Sequence, residues 1–240
     1  HAAGVFTTNR VQAAPVTWSR QVLADGRVDA VLLNSGGANA CTGAPGFQDT
    51  HRSAEYAAAA LGVARGDTAI CSTGLIGARL PIDLVLAGVD AACAQLSADG
   101  GDMAARAIMT TDTVPKTAAA TREGWSVGGM AKGAGMLAPA LATMLVVLTT
   151  DAVVDPATLD GVLRSATSRT FDRIDSDGCM STNDTVLLLS SGASGVQPSI
   201  EDLTEAVTEV CATLARALIA DAEGAHHDIS IEVRQAVSEA

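Results

Sequence analysis

Residues 128–152 read GGMAKGAGMLAPALATMLVVLTTDA, with no charged side chain between Lys132 and Asp151. The first half carries Gly133, Gly135 and Pro139 and reads as a loop, whereas residues 144–148 form an apolar run that reads as a buried strand. Thr143 stands at the junction. A hydroxyl placed there, behind a sterically open loop, can attack the carbonyl of Ala142. Scission of the Ala142–Thr143 bond leaves Thr143 with a free α-amine beside its own hydroxyl, so one residue supplies both nucleophile and general base. The residues alone leave two readings open, an ordinary core strand behind a loop and a self-cleaving threonine. A membrane span is disfavoured. The uncharged run of 18 residues is near the roughly 20 that cross a bilayer, but it holds a proline and several small residues and has no basic flank.

Composition narrows the class. A chain of 240 residues is long enough for one large domain or two modest ones with a sizeable core. Hydrophobic residues make up 48% and charged residues 18%, which describes a globular chain rather than a disordered one. Aromatics are only 2%, so the core must be built from aliphatic side chains. The net charge of −12 argues against nucleic acid and anionic membrane as partners, both of which need a basic face. Arginine outnumbers lysine 13 to 2, which makes Lys132, in an otherwise uncharged stretch, conspicuous. Five scattered cysteines without a C-x-x-C pair point to reduced, mostly buried thiols in a cytoplasmic protein. No signal peptide is visible, and the start at His1 without methionine suggests part of a longer polypeptide.

Strand and helix patterns alternate along the chain, which predicts an α/β fold. Strands are expected at 4–7, 30–34, 69–72, 125–130, 144–149, 185–190 and 229–233. Helices are expected at 50–64, 82–96, 102–109, 156–168 and 199–222, the last opened by Ser199 and Asp202 at capping-box spacing. No repeat or low-complexity linker divides the chain. The natural division is the cleavage point, giving interlocked pieces 1–142 and 143–240.

Several other motifs fail on their own terms. Asp175 and Asp177 before Gly178 suggest a calcium loop, but Arg173 occupies the first ligand position. His226 and His227 are adjacent, and on an extended segment they point to opposite faces, so a shared metal ion is not expected. By contrast, Cys71-Ser72-Thr73-Gly74 lies where a strand runs into a glycine turn, so its donors can face a cleft.

Seven blocks in order carry a resemblance over residues 1–225. They are AGVFTTNRVQAAPV from Ala3, LLNSGGANACTG from Leu32, CSTGLIGARLP from Cys71, AIMTTDTVPK from Ala107, the opening segment, STNDTVLLLSSG from Ser181, and DAEGA from Asp221. Together they resemble the ornithine acetyltransferase (glutamate N-acetyltransferase) family of arginine biosynthesis. The resemblance implies a layered α/β fold of the DmpA/ArgJ-like type, cleaved at Ala142–Thr143. It implies Thr143 as nucleophile and Thr73 and Gly74 as the oxyanion hole. Thr111, Lys132, Thr143 and Glu223 would bind substrate, Lys132 through a carboxylate and Glu223 through an ammonium group. The implied reaction is ping-pong transfer of acetyl from N2-acetylornithine to glutamate. No metal or organic cofactor is implied, although acetyl-CoA is a possible co-substrate. The cleaved α and β chains would stay associated, as a heterotetramer.

This chain departs from the family pattern at His226 and His227, where the family has a hydroxyl residue and a lysine, and nothing here matches the family's C-terminal pocket segment. Two alternatives therefore stay open, a hydrolase or aminopeptidase on the same architecture, and an uncleaved, inactive homologue.

Overall fold

A computed structural model describes residues 1–137 and 144–238. Ala142 and Thr143, and with them the expected cleavage point, lie outside the described residues.

The chain forms a five-stranded mixed sheet and a separate parallel pair. The large sheet runs β1 (Ala2–Phe6), β7 (Thr185–Ser190), β6 (Leu145–Thr150), β5 (Trp125–Lys132), β4 (Lys116–Arg122) in that spatial order. Only β6 and β7 are parallel, and their crossover contains α5 (Pro156–Arg169), as parallel neighbours require. The parallel pair, β2 (Ala30–Asn34) and β3 (Thr68–Ser72), is joined through α2 (Gly43–Leu61) in the same way. The remaining helices are α1 (Ala14–Val22), α3 (Ile82–Cys93), α4 (Gly101–Ala107) and α6 (Ile200–Ala220).

Two aliphatic cores result. In the larger, Leu159, Val162, Leu163 and Ala166 of α5 and Leu203, Val207, Val210, Leu214 and Leu218 of α6 pack on Val127, Val146, Leu148, Val186 and Leu188 of the sheet. The i, i+3, i+4, i+7 spacing on α6 supplies that face. The smaller core joins α1 and β3 to the opposite side of the sheet through Leu145 and Leu187. With so few aromatics, closeness of packing between small side chains carries the stability.

Helix ends follow local chemistry. The Asp155 side chain caps α5 by accepting from the amides of Ala157 and Thr158, both at 3.0 Å, with Pro156 in the first turn. Ser199 caps α6 by accepting from the Asp202 amide at 3.0 Å, as its spacing predicted.

Several expectations need correction. Helix α2 begins at Gly43, not residue 50, because Pro45 is tolerated in a first turn. Residues 229–233 form no strand: Ile229, Ile231 and Val233 are 83%, 84% and 77% exposed, and alternation without a partner edge does not make a strand. The cysteines are free, but they are not mostly buried. Cys71 and Cys211 are buried, Cys93 is intermediate, and Cys41 and Cys179 are exposed. Strand β4 and helix α1 are elements that the sequence pattern does not predict. No helix among the described residues is long and apolar enough to cross a membrane.

Candidate active site

Lys132 is the last residue of β5, not part of a loop, and it is 2% exposed. The ladder sets it opposite Leu145, the first residue of β6, so its backbone lies beside the strand that follows Thr143 in sequence. Its Nζ donates to Thr73 Oγ1 at 3.1 Å and to Thr110 Oγ1 at 2.8 Å. Burial holds this ammonium below the ordinary lysine value, and the nearby Lys116 adds to the effect against the pull of Asp112, Asp184 and Glu223.

Thr73 follows β3 and is buried, with its amide donating to Asn34 O at 3.0 Å. Its hydroxyl is thus the polar group it directs towards Lys132. Gly74 is exposed and has φ +127°, and a β-carbon there would stand 3.0 Å from both the amide nitrogen and Cα of Gly37. Only glycine fits both the conformation and the backbone approach. Gly74→Ala is expected to lower stability by roughly 1–3 kcal/mol, measurable as an earlier urea midpoint at unchanged slope.

Three of the sequence blocks converge on this turn. Asn183 Nδ2 donates to Ala38 O at 2.7 Å and to Ser72 O at 2.8 Å, tying the segment before β7 to the loop after β2 and the end of β3. Asp184, next in sequence, accepts from the Met144 amide through Oδ1 at 3.1 Å. That contact fixes the residue directly after Thr143.

A second network adjoins Lys132 through the next residue, Gly133. Lys116 at the start of β4 is buried, and its Nζ donates to Asp112 Oδ1 at 2.6 Å and Asp221 Oδ2 at 2.5 Å. Asp112 also accepts from the Gly133 amide at 2.7 Å and the Thr110 amide at 3.1 Å. Asp221 accepts from the Thr113 amide at 2.9 Å and from the Thr113 hydroxyl. Burial alone would raise both carboxyls. The hydrogen bonds outweigh it and hold both below the usual carboxylate value, with Gly133 leading for Asp112 and Lys116 for Asp221. Both lysines of the chain are therefore buried in this one region.

Glu223 follows Asp221 of this network by two residues. Its amide donates to Ala134 O at 2.6 Å, and a β-carbon on Gly135 would stand 3.2 Å from its exposed carboxylate. Glu223 lies beyond the end of α6, so it is Asp221, the C-cap, that faces the unfavourable end of the helix dipole, with Lys116 offsetting it. Thr111 is exposed, and Thr110 rather than Thr111 binds Lys132.

The aspartates around Gly178 serve the backbone. Asp177 accepts from the Met136 amide at 2.7 Å, Asp175 from the Gly178 amide at 2.9 Å, and the Ser176 amide donates to Leu137 O at 2.6 Å. Among the described residues no cluster of three metal-ligating side chains occurs. The wide surface clefts lie elsewhere, one of them between β1 and the start of α5 with Arg20, Asp160 and Arg164 on its walls.

Sequence comparison agrees with this convergence of blocks. A profile of the ArgJ family matches residues 1–240. The chain belongs to the ArgJ family. The arginine biosynthesis bifunctional protein ArgJ of Streptomyces coelicolor is 66% identical over 238 residues, covering 99% of this chain and 62% of that protein. The protein of that name from Thermobifida fusca is 61% identical over 237 residues, with the same coverages. The chain thus spans about three fifths of the length of these curated relatives. Among solved structures, ornithine acetyltransferase from Mycobacterium tuberculosis, crystallised with ornithine, aligns at a TM-score of 0.56 and 56% identity over 60% of this chain and 77% of that one. The arginine biosynthesis bifunctional protein of Bacillus halodurans aligns at 0.52 and 34% over 60% and 76%. The α/β fold is that of the ornithine acetyltransferases.

Proposed function

We propose that this chain, cut at Ala142–Thr143, transfers acetyl from N2-acetylornithine to glutamate through an ester on Thr143. The observation that carries the proposal is the buried Lys132 ammonium, shared by Thr73 and Thr110, at the end of a strand paired with β6 in an ArgJ-family chain. Thr143 Oγ1 attacks the acetyl carbonyl, and the developing oxyanion is met by the Thr73 hydroxyl and the Gly74 turn. The Thr143 α-amine takes the hydroxyl proton and passes it to the departing ornithine nitrogen as the acetyl C–N bond breaks, and the acetyl ester forms. The α-amine of glutamate then attacks the ester and passes its proton to the Thr143 amine, regenerating the hydroxyl. Lys132 pairs with a substrate carboxylate, Glu223 with an ammonium group, and Thr111 lines the approach. No resident cofactor takes part.

The cleaved pieces 1–142 and 143–240 stay together because β5 and β6 belong to different pieces yet pair along six register positions, from Val127 with Thr150 to Lys132 with Leu145. Two such pairs form a heterotetramer, and the protein works in the cytoplasm. Acetyl-CoA serves as a second donor, in keeping with the word bifunctional in the relatives' names.

The test is product analysis with acetylornithine in the presence and absence of glutamate. N-acetylglutamate formed only when glutamate is supplied supports the transferase. Acetate formed at the same rate without glutamate establishes the hydrolase instead. In the same assay Lys132→Met is expected to raise KM by roughly tenfold or more, the worth of one charge-assisted hydrogen bond. It is also expected to leave the thermal midpoint level or higher, since it removes a cation whose burial is costly.

A further inference from the structure

Asp184 has no role in the steps above, yet it is among the most enclosed polar groups of the chain, 0% exposed at the residue before β7. Its two oxygens differ. Oδ1 accepts the Met144 amide at 3.1 Å, whereas Oδ2 has no hydrogen-bond partner among the described residues. The Thr7 and Ser181 hydroxyls and the Lys132 ammonium face the carboxyl, but none completes a hydrogen bond to Oδ2. Thr7 Oγ1 donates to Ser181 O at 2.8 Å, and Ser181 Oγ accepts from the Asn183 amide at 3.0 Å. A buried carboxyl oxygen left unpaired is costly, and a role in chemistry is one reason native proteins retain such groups. In any peptide the amide that Oδ1 holds is three bonds from the nitrogen of the preceding residue, here Thr143, the nitrogen that scission must release.

We propose that Asp184 positions the chain for scission through Oδ1 and carries the proton of that reaction on Oδ2. Attack of the Thr143 hydroxyl on the Ala142 carbonyl carbon forms a C–O bond, and the C–N bond of the peptide breaks. The neutral Asp184 carboxyl gives its proton to the departing nitrogen. The carboxylate so formed takes the proton that the hydroxyl loses, so the acid is restored. Water then hydrolyses the ester, leaving the Ala142 carboxylate and Thr143 with its amine free. Burial pushes the Asp184 carboxyl well above the usual carboxylate range, against the pull of the Met144 amide, the Ser181 and Thr7 hydroxyls and Lys132, so it enters the step as an acid.

This role rests on Thr143 being the nucleophile, and the experiment separates the two ideas. The chain is made by cell-free translation and its scission followed over time for wild type, Thr143→Ala, Asp184→Asn and Asp184→Ala. Asp184→Asn keeps an oxygen for the Met144 amide but has no acid proton. It is expected to cut at least about 100-fold more slowly than wild type while retaining native circular dichroism. Cutting within threefold of wild type, with Thr143→Ala uncut, overturns the role of Asp184 and leaves the nucleophile standing. A wild-type chain that stays whole, or a Thr143→Ala chain that is cut, overturns both. Should Asp184→Asn not fold, Asp184→Ala with added formate decides. Restored cutting supports a missing transferable proton, and no restoration in the folded protein overturns it.

Discussion

Thr143→Ala is expected to leave the chain in one piece and to lower acetyl transfer by at least about 10⁴-fold, the scale of losing a covalent nucleophile. In the proposed mechanism one oxygen opens the peptide bond before it and then carries the acetyl group, so a single substitution is expected to remove both. The buried cysteine of β3 does not take its place. Cys71 lies two residues from Thr73, but burial pushes its thiol up to about 12, so it is not a thiolate near neutral pH. Thr143→Ser keeps the hydroxyl and is expected to retain scission and measurable transfer. N-terminal sequencing reads the first effect, since wild type yields a second N-terminus beginning at Thr143. The transfer assay reads the second. The fragments are expected to co-purify, because the cut separates β5 from β6 in sequence without removing their shared ladder. An alanine variant that is cut at the same bond and transfers acetyl at the wild-type rate ends the mechanism.

How much of this was legible in the sequence depended on what each residue type signals locally. Strands β2 and β7 fell where expected, residues 30–34 and 185–190, because short apolar runs bounded by polar turns have few other folds. Strand β4, KTAAATR, was invisible because alanine carries little preference for a strand, and its place is set by pairing with β5 across the Glu123-Gly124 connection. Helix α1 hides behind Pro15, which reads as a breaker but is tolerated in a first turn.

In the site, Lys132 stood out because its surroundings are uncharged. Lys116 offered half of that signal. It is the only other lysine of the chain, yet it lies among threonines and near Asp112, where a solvated charge is the ordinary case. Asp112, Asp184 and Asp221 look in sequence like the surface aspartates elsewhere, and only the fold shows which are enclosed. Glu223 is marked by the resemblance of DAEGA to the family pattern. What holds it in place is its own amide on Ala134 O, with the Asp221 clamp two residues before it, neither of which periodicity can report.

Lys116→Met is expected to cost about 3–5 kcal/mol, the usual consequence of leaving buried carboxylates without their cation. In a chain of this size that lowers the thermal midpoint by roughly 10 °C. The Lys116 side chain is fully enclosed, and the carboxylates it joins, Asp112 and Asp221, are 0% and 7% exposed. Among the described residues every other contact to them is an amide or hydroxyl donor, so none of these supplies positive charge at hydrogen-bond distance.

The pH profile distinguishes this from loss of packing. In wild type both carboxyls are held below their ordinary value of 3.8, so their contribution is complete above that value and lost as pH falls through the lower folded values. Without Lys116 each carboxyl loses both the hydrogen bond and the charge that lower it while burial still opposes the rest, so less stability is lost on acidification. Wild-type stability is therefore expected to fall more steeply with acid than that of Lys116→Met, and the two urea midpoints should converge. Parallel profiles would mean that the lysine contributes volume rather than charge. Substituting Asp112→Asn in the Lys116→Met background should recover part of the loss, since one of the uncompensated charges is then gone. Because Asp112 also holds the Gly133 amide beside Lys132, and Asp221 precedes Glu223 by two residues, the same variant is expected to weaken substrate binding more than turnover. KM then rises at a temperature where the protein is still folded, which ties the stability of the clamp to the geometry of the site.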